Sequence, residues 1–446
     1  MCDKFVYTIS KDDLENAERG HGILLDKKLY SVLMQHKNII NRVGTNKNWD
    51  TFKKQTNQYE LIFTTSNLFP SIANISPYSR SYFKHWEILN DFKEELGLYN
   101  KPAVTCAFLA EGPGGFIEAF ARTRENEKSH SNANANANAN ANAMSTGKDT
   151  LYGVTLISND RQVPSWKFSR EFIATHNINL LFGADGDGSL YSMANIDSFI
   201  SQVGKNKCDY VTADGGFDFS NNFNDQELAS LLLVTSEIYT ALSLQKSDGS
   251  FVLKIYDISL ELTKKLLYIL STVYKSITFI KPHTSRPANS EKYVMCRCFL
   301  GAPNEIMDML RQSIEKRSYV QIIEMIEPSV EFLESVALYN VVFVMKQIIY
   351  INRTMNHIWR RADPWETARQ QVECAIRWCH KYNVAINTQH LQFYKQLQLK
   401  TIQPHVHSDI KNAKINTTTF PSIHHIRSKS NISTTTFPSI HFLHVL

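Results

Sequence analysis

The sequence predicts an α/β protein built on a doubly wound, mostly parallel seven-stranded sheet, with helical additions at both ends. Three observations predict it. From Val104 onward the apolar runs "VTCAFLA", "LYGVTL", "INLLFG", "YVTADG", "SFVLKIY", "SITFIK" and "KYVMCRCFL" alternate with longer segments, several of helical period. That alternation is the pattern of strands joined by crossover helices. Within it, "VTCAFLAEGPGGFIEAFAR" reads as strand, glycine loop and helix, the opening unit of a sheet that holds a nucleoside. Helix spacing recurs on either side, in "LLDKKLYSVLMQHKNIINRV" and through residues 305–400.

In chain order, residues 1–75 are read as a helical lead-in, 76–302 as the sheet domain, 303–400 as a helical C-terminal region and 401–446 as a disordered tail. Inside the sheet domain, "NANANANANANA" at 132–143 is too polar to bury anything, so a disordered surface loop is expected there. The run "NDQELASLLLVTSEIYTALSLQ" predicts a helix, with Asn224 and Glu227 at capping-box spacing and Leu228, Leu231, Ile238 and Leu242 on one face. An antiparallel strand near 292–299 closes the sheet, and Pro364 stands near the start of a later amphipathic helix. The tail repeats "TTTFPSIH" at 417–424 and 434–441; two copies do not make a solenoid.

Bulk properties narrow the class. With 446 residues and 43% hydrophobic content the chain is neither disordered nor fibrous. A formal charge of +5 suits a polyanionic partner without requiring one. The seven cysteines are odd in number and include no CxxC pair, which points away from a disulfide framework or a zinc cage and toward a reducing, cytoplasmic setting. Cys374, Cys379 and His380 sit mid-helix at a spacing of no familiar metal site, so no metal is expected. The apolar stretch "LYNVVFVMKQIIYI" is short and interrupted by Lys346, and no membrane anchor is expected.

Candidate chemistry gathers at predicted strand ends. Glu111, Gly112, Pro113, Gly114, Gly115 and Phe116 form the loop after the first strand; glycine there lets a ligand approach the main chain. No GK[ST] follows, so the loop suits a cofactor that is not a triphosphate. Asp185 and Asp187 lie in the glycine-rich "FGADGDGSL", where a carboxylate can accept from an adenine amino group or a ribose hydroxyl. Asp214 in "TADGGF" and Lys254 in "FVLKIYD" reach the carboxyl edge where open α/β sheets hold ligands.

Taken together, "SRSYFKHWEI" with Lys84, "EGPGGF", "DGDG", "TADGGF" with Asp214, "FVLKIYD" with Lys254 and "KPHTSRPANSEKYVMC" with Glu291 resemble the FtsJ-type ribose 2'-O-methyltransferases. The "SRPANSEKY" string is especially similar to that of eukaryotic and viral mRNA cap ribose methyltransferases. The acid before the glycine loop resembles the Adrift-type branch, and the form encoded by large cytoplasmic DNA viruses of the asfarvirus kind. The resemblance covers about residues 75–300. It implies a Rossmann-like class I methyltransferase fold, S-adenosyl-L-methionine as cofactor, and a catalytic tetrad of Lys84, Asp214, Lys254 and Glu291. Glu111 to Phe116, Asp185, Asp187 and Asp214 would bind the cofactor. Arg80, Lys281 and Arg286 flank tetrad motifs and are expected along an RNA path, Arg286 alternatively as a partner of Glu291. Tyr82, Trp86, Trp166 and Phe217 are aromatics available to sandwich a guanine.

The implied reaction moves a methyl group to a ribose 2'-hydroxyl of RNA, at the first or second nucleotide of capped mRNA. RNA and other capping or transcription proteins are the implied partners, with no DNA and no membrane, in the cytoplasm or a viral factory. In-line displacement requires alignment of oxygen with methyl and a destination for the hydroxyl proton. Lys254 is the expected base or steering group, its pKa pushed down by Lys84 and up by Asp214. Two departures stand out: Phe108 occupies the place of the family's strand acid, and Asp160 is the sole acid in "GVTLISNDRQ" after the second strand. The rival readings are a catalytically inactive RNA-binding or assembly subunit and methylation of structured, non-cap RNA.

Overall fold

The computed structural model describes residues 5–10, 22–42, 46–65, 71–137, 147–160, 163–216, 224–360 and 364–388. All seven apolar runs form strands: β2 (Thr105–Leu109), β3 (Thr150–Val154), β4 (Ile178–Leu181), β5 (Cys208–Ala213), β6 (Gln245–Ile255), β7 (Tyr274–Lys281) and β8 (Lys292–Phe299). An eighth, β1 (Phe5–Ser10), comes from the segment read as a helical lead-in and pairs antiparallel with β7. The order is β1-β7-β8-β6-β5-β2-β3-β4. The β2 to β6 pairings are parallel, and β8 enters antiparallel between β6 and β7. The direction of winding reverses between β2 and β5, which opens a crevice at their carboxyl ends.

The helices are α1 (Gly22–Arg42), α2 (Asn46–Thr56), α3 (Ser81–Asp91), α4 (Lys93–Leu96), α5 (Gly115–Ala137), α6 (Arg170–His176), α7 (Met193–Val203), α8 (Gln226–Leu244), α9 (Glu261–Val273), α10 (Asn304–Lys316), α11 (Val320–Met325), α12 (Val330–Arg360) and α13 (Pro364–Lys381). Every residue of β5 is buried, as expected of a parallel strand covered on both faces. Leu231, Ile238 and Leu242 of α8 are buried, but Leu228 is 63% exposed. The capping box does not form, because the Glu227 carboxylate instead accepts from the Ser259 and Leu260 amides after β6.

Helix α5 runs on through the first half of the dipeptide repeat to Ala137, since alanine favours helix and asparagine costs only a fraction of a kcal/mol; residues 138–143 lie outside the described residues, as does the tail 401–446. Residues Met1–Asn387 form one compact unit, so the helical flanks are integral to the sheet domain; Thr388 begins a second unit and is its one described residue. Helix α12 packs along α1 and α2, and α13 along the turn of 3-10 helix at Glu60–Ile62. By length and composition α8 and α12 are each apolar enough to cross a bilayer, with 78% and 56% of those windows buried within the protein. The stretch containing Lys346 is therefore part of a longer helix than its sequence alone predicts.

Candidate active site

The four tetrad residues arrive from four elements and meet. Lys84 lies on α3, Lys254 near the end of β6, Asp214 directly after β5, and Glu291 immediately before β8. Lys84 Nζ donates to Glu291 at 2.8 Å, and Lys254 Nζ pairs with Asp214 Oδ1 at 3.1 Å while donating to the Asp214 carbonyl at 2.6 Å. Tyr293 joins the two pairs: its hydroxyl donates to Asp214 Oδ1 at 2.8 Å, and its ring centroid lies 5.9 Å from Lys84 Nζ. The signal in the sequence that marks Tyr293 is its place two residues beyond Glu291, where an extended chain turns alternate side chains to the same side.

The glycine loop borders this group. Gly112 N–H donates to Thr155 Oγ1 at 3.0 Å and Gly114 N–H to the Glu111 carbonyl at 2.9 Å. Gly114 sits at φ +118, and a Cβ there would meet the Phe168 ring at 2.2 Å; at Gly115 it would meet Ser81 Oγ at 2.2 Å. The space next to these two glycines is thus taken by protein rather than left for a ligand. Glu111 Oε1 accepts from the Phe116 amide at 2.5 Å, and Oε2 is buried with no hydrogen-bond partner. Burial, then the Asp214 carboxylate, pushes the Glu111 pKa well above the ordinary carboxyl range.

Residues 77–299, half of the chain, match the FtsJ-like methyltransferase family. The chain belongs to that family. Its FtsJ-like region is similar to cap-specific mRNA (nucleoside-2'-O-)-methyltransferase 1 of Trypanosoma brucei brucei, at 36% identity over 128 residues, 28% of this chain and 35% of that one. The mouse protein of the same name is 36% identical over 119 residues, 26% of this chain and 14% of its own. That of Drosophila melanogaster is 32% identical over 150 residues, 33% of this chain and 18% of its own. The matched stretch is thus about a third or less of each relative's length. All three are from cellular eukaryotes and lend no support to a viral source. Among solved structures, a putative ribosomal RNA methyltransferase from Plasmodium falciparum covers 50% of this chain and 99% of its own at 18% identity and a TM-score of 0.34, a likeness too slight to argue from.

Elsewhere in the FtsJ-like region the sequence expectations divide. Arg80 is half-buried directly before α3, its guanidinium 5.7 Å from the Phe63 ring and without a hydrogen bond to the described residues. Arg286 is not on an open path: its fork is taken by Glu60, at 2.8 and 2.6 Å, so neither RNA nor Glu291 is its partner. Lys281 is likewise turned inward, its amine donating to the carbonyls of Asn289, at 2.9 Å, and Glu291. Phe116 is fully buried, stacked on His85 at 4.3 Å, which makes it packing rather than a cofactor contact. Asp187 accepts from Ser189 N–H within its own loop and from Asn195 on α7, and exposed Asp185 accepts from Ser192. Tyr82 and Trp86 are core residues, Trp86 donating to the Tyr382 carbonyl; Trp166 is half-buried against Phe168, and Phe217 lies outside the described residues.

Electrostatics distinguish the two lysines in a way opposite to expectation. Burial lowers the Lys84 pKa, against the pull of Glu291 and Asp214. At Lys254 burial also works downward, but Asp214, then Tyr256 and Glu291, outweigh it and hold the amine above the ordinary lysine range. Glu237, a carboxyl on α8 absent from the sequence reading, sits under the Asp214–Gly215 turn; a Cβ on Gly215 would meet its Oε1 at 2.2 Å. Burial raises its pKa to about 8. No site of three or more His, Cys, Asp or Glu able to hold a metal occurs among the described residues.

The residues present fit S-adenosyl-L-methionine. The orphaned Glu111 oxygen beside Asp214 suits an ammonium group. Leu156, Ile157 and Phe182 leave apolar surface exposed at the carboxyl ends of β3 and β4, at 38%, 38% and 44%, where a purine ring has something to pack on.

Proposed function

We propose that the protein transfers a methyl group from S-adenosyl-L-methionine to a ribose 2'-hydroxyl of RNA, at the first or second nucleotide of capped mRNA. The carrying observation is the pair of buried Lys–carboxylate bridges, Lys84–Glu291 and Lys254–Asp214, joined through Tyr293 at the sheet's carboxyl edge. The names of the relatives support the cap as substrate. Glu111 and Asp214 would hold the methionine ammonium, with Asp185 at the outer edge for ribose or adenine. The cofactor supplies an electrophilic methyl group on a sulfonium.

The chain's own residues align and receive. Lys254, kept as an ammonium by Asp214, steers the 2'-oxygen by donating to it. Lys84 is the amine that burial drives toward the neutral form, and Glu291 fixes its direction. Arg80, the half-buried guanidinium with no hydrogen-bond partner among the described residues, takes an RNA phosphate. Arg80→Ala then raises KM for capped RNA by roughly tenfold and flattens its salt dependence, with kcat little changed; salt-titrated kinetics check this.

Lys254→Ala tests the assignment. It abolishes turnover while calorimetry shows S-adenosyl-L-methionine binding near that of the parent protein; full activity in the variant removes the basis for the site. Cofactor binding without turnover in the parent protein supports the scaffold reading instead.

A further inference from the structure

One face of α12 touches, at three successive points, segments that carry tetrad members. Asn340 donates to the Ile258 carbonyl at 3.3 Å, four residues beyond Lys254. The Phe343 ring lies 4.1 Å from Lys292 Nζ and 5.5 Å from Lys281 Nζ, the amines at the two ends of the turn that presents Glu291. Gln347 donates to the Ala288 carbonyl at 3.2 Å, inside that turn. A spacing of three and four residues puts all three side chains on one stripe of a helix. None of them falls within the matched residues 77–299.

The turn itself is held by charge. Lys281 ties it shut through the carbonyls of Asn289 and Glu291, and Lys292 donates to the Tyr256 carbonyl, which ties β8 to the segment after Lys254. At the other side Glu87 accepts from the His283 and Thr284 amides, both at 2.8 Å, and Ser285 donates to Glu291 Oε1 at 2.7 Å. Burial lowers the Lys281 and Lys292 pKa values, to about 7 and about 8. An aromatic face against both ammonium groups offsets part of that desolvation.

We infer that α12 is a positioning element of the catalytic site, acting through Phe343, Lys281 and the 282–291 turn to set the direction in which Glu291 meets Lys84. The inference rests on the methyl-transfer reading above. A misplacement of about 1 Å at a catalytic group costs on the order of 100-fold in rate, so a helix that fixes this turn bears on rate rather than on cofactor affinity.

The test uses the full chain with Phe343→Leu and Gln347→Ala, each in the parent and in the Glu291→Gln background, so that a failure of Phe343→Leu to fold leaves the milder Gln347→Ala to decide. Expected are a kcat loss of roughly tenfold for Phe343→Leu and less for Gln347→Ala, KM for capped RNA and cofactor binding within about twofold, and faster hydrogen exchange in residues 282–291. In the Glu291→Gln background the same changes cost little more, because the residue they act through is gone. Equal losses in both backgrounds, or unchanged exchange in the turn, overturn the inference. An inactive parent protein would remove the methyl-transfer reading itself, and the exchange measurement would still decide whether α12 holds the turn.

Discussion

Arg286 and Glu60 form a bidentate buried ion pair near the site, with side chains 11% and 3% exposed. Burial works to raise the Glu60 pKa, and the Arg286 fork overrides it and holds the carboxyl below its ordinary range. Removing one partner of such a pair leaves the other buried and uncompensated. Arg286→Ala therefore costs about 3–5 kcal/mol, and Arg286→Lys recovers little because a lysine cannot reproduce the bidentate geometry; denaturant titration checks both. Glu237 gives the pH-dependent counterpart. Its folded-state pKa of about 8 lies above the ordinary 4.5, so the stability it contributes as a neutral acid is complete below about 4.5 and is lost as pH rises through about 8. Glu237→Gln keeps the shape without the ionisation, so its melting temperature relative to the parent climbs between pH 4.5 and 8 and is level beyond. A difference independent of pH would contradict this. The meeting of Lys84, Asp214, Lys254 and Glu291 was legible in the sequence because their motifs stand together in family order. Arg286 and Lys281 were misread because proximity along the chain to a motif says nothing of which way a long side chain turns.

At the scale of elements, the seven central strands could be read directly, since each is an apolar run bounded by turn residues. The strand β1, "FVYTIS", stands at one edge of the sheet and pairs with β7 alone, an antiparallel partner more than 260 residues away, and no pattern of its own marks that partner. The glycine loop shows a different limit. Its glycines announce a close approach, but what approaches Gly114 is the Phe168 ring from the segment that follows β3. Gly114→Ala meets both a positive φ and that ring, and lowers stability by roughly 1–3 kcal/mol. Phe168→Ala in the same chain removes the steric part, so the double variant loses less than the sum of the singles. Thermal melts of the four proteins check this; simple additivity would place the strain elsewhere.

For the whole molecule, the sheet domain and its helical flanks are one unit through Asn387. Sequence periodicity showed that the flanks are helical, but which segments they brace depends on contacts between residues far apart in the chain, such as Trp86 with Tyr382 and Gln371 with Asn57. The result is an FtsJ-like sheet whose carboxyl edge is backed by helices from both ends of the described chain. The most direct measurement is transfer of labelled methyl from S-adenosyl-L-methionine to short capped RNA, capped RNA already 2'-O-methylated at its first nucleotides, and uncapped RNA, with calorimetric cofactor binding on the same protein. The account predicts cofactor binding and transfer to the capped RNA alone, lost when those ribose hydroxyls are already methylated and lost in Lys254→Ala. Transfer to all three RNAs would contradict the cap assignment, and neither transfer nor cofactor binding would contradict the account as a whole.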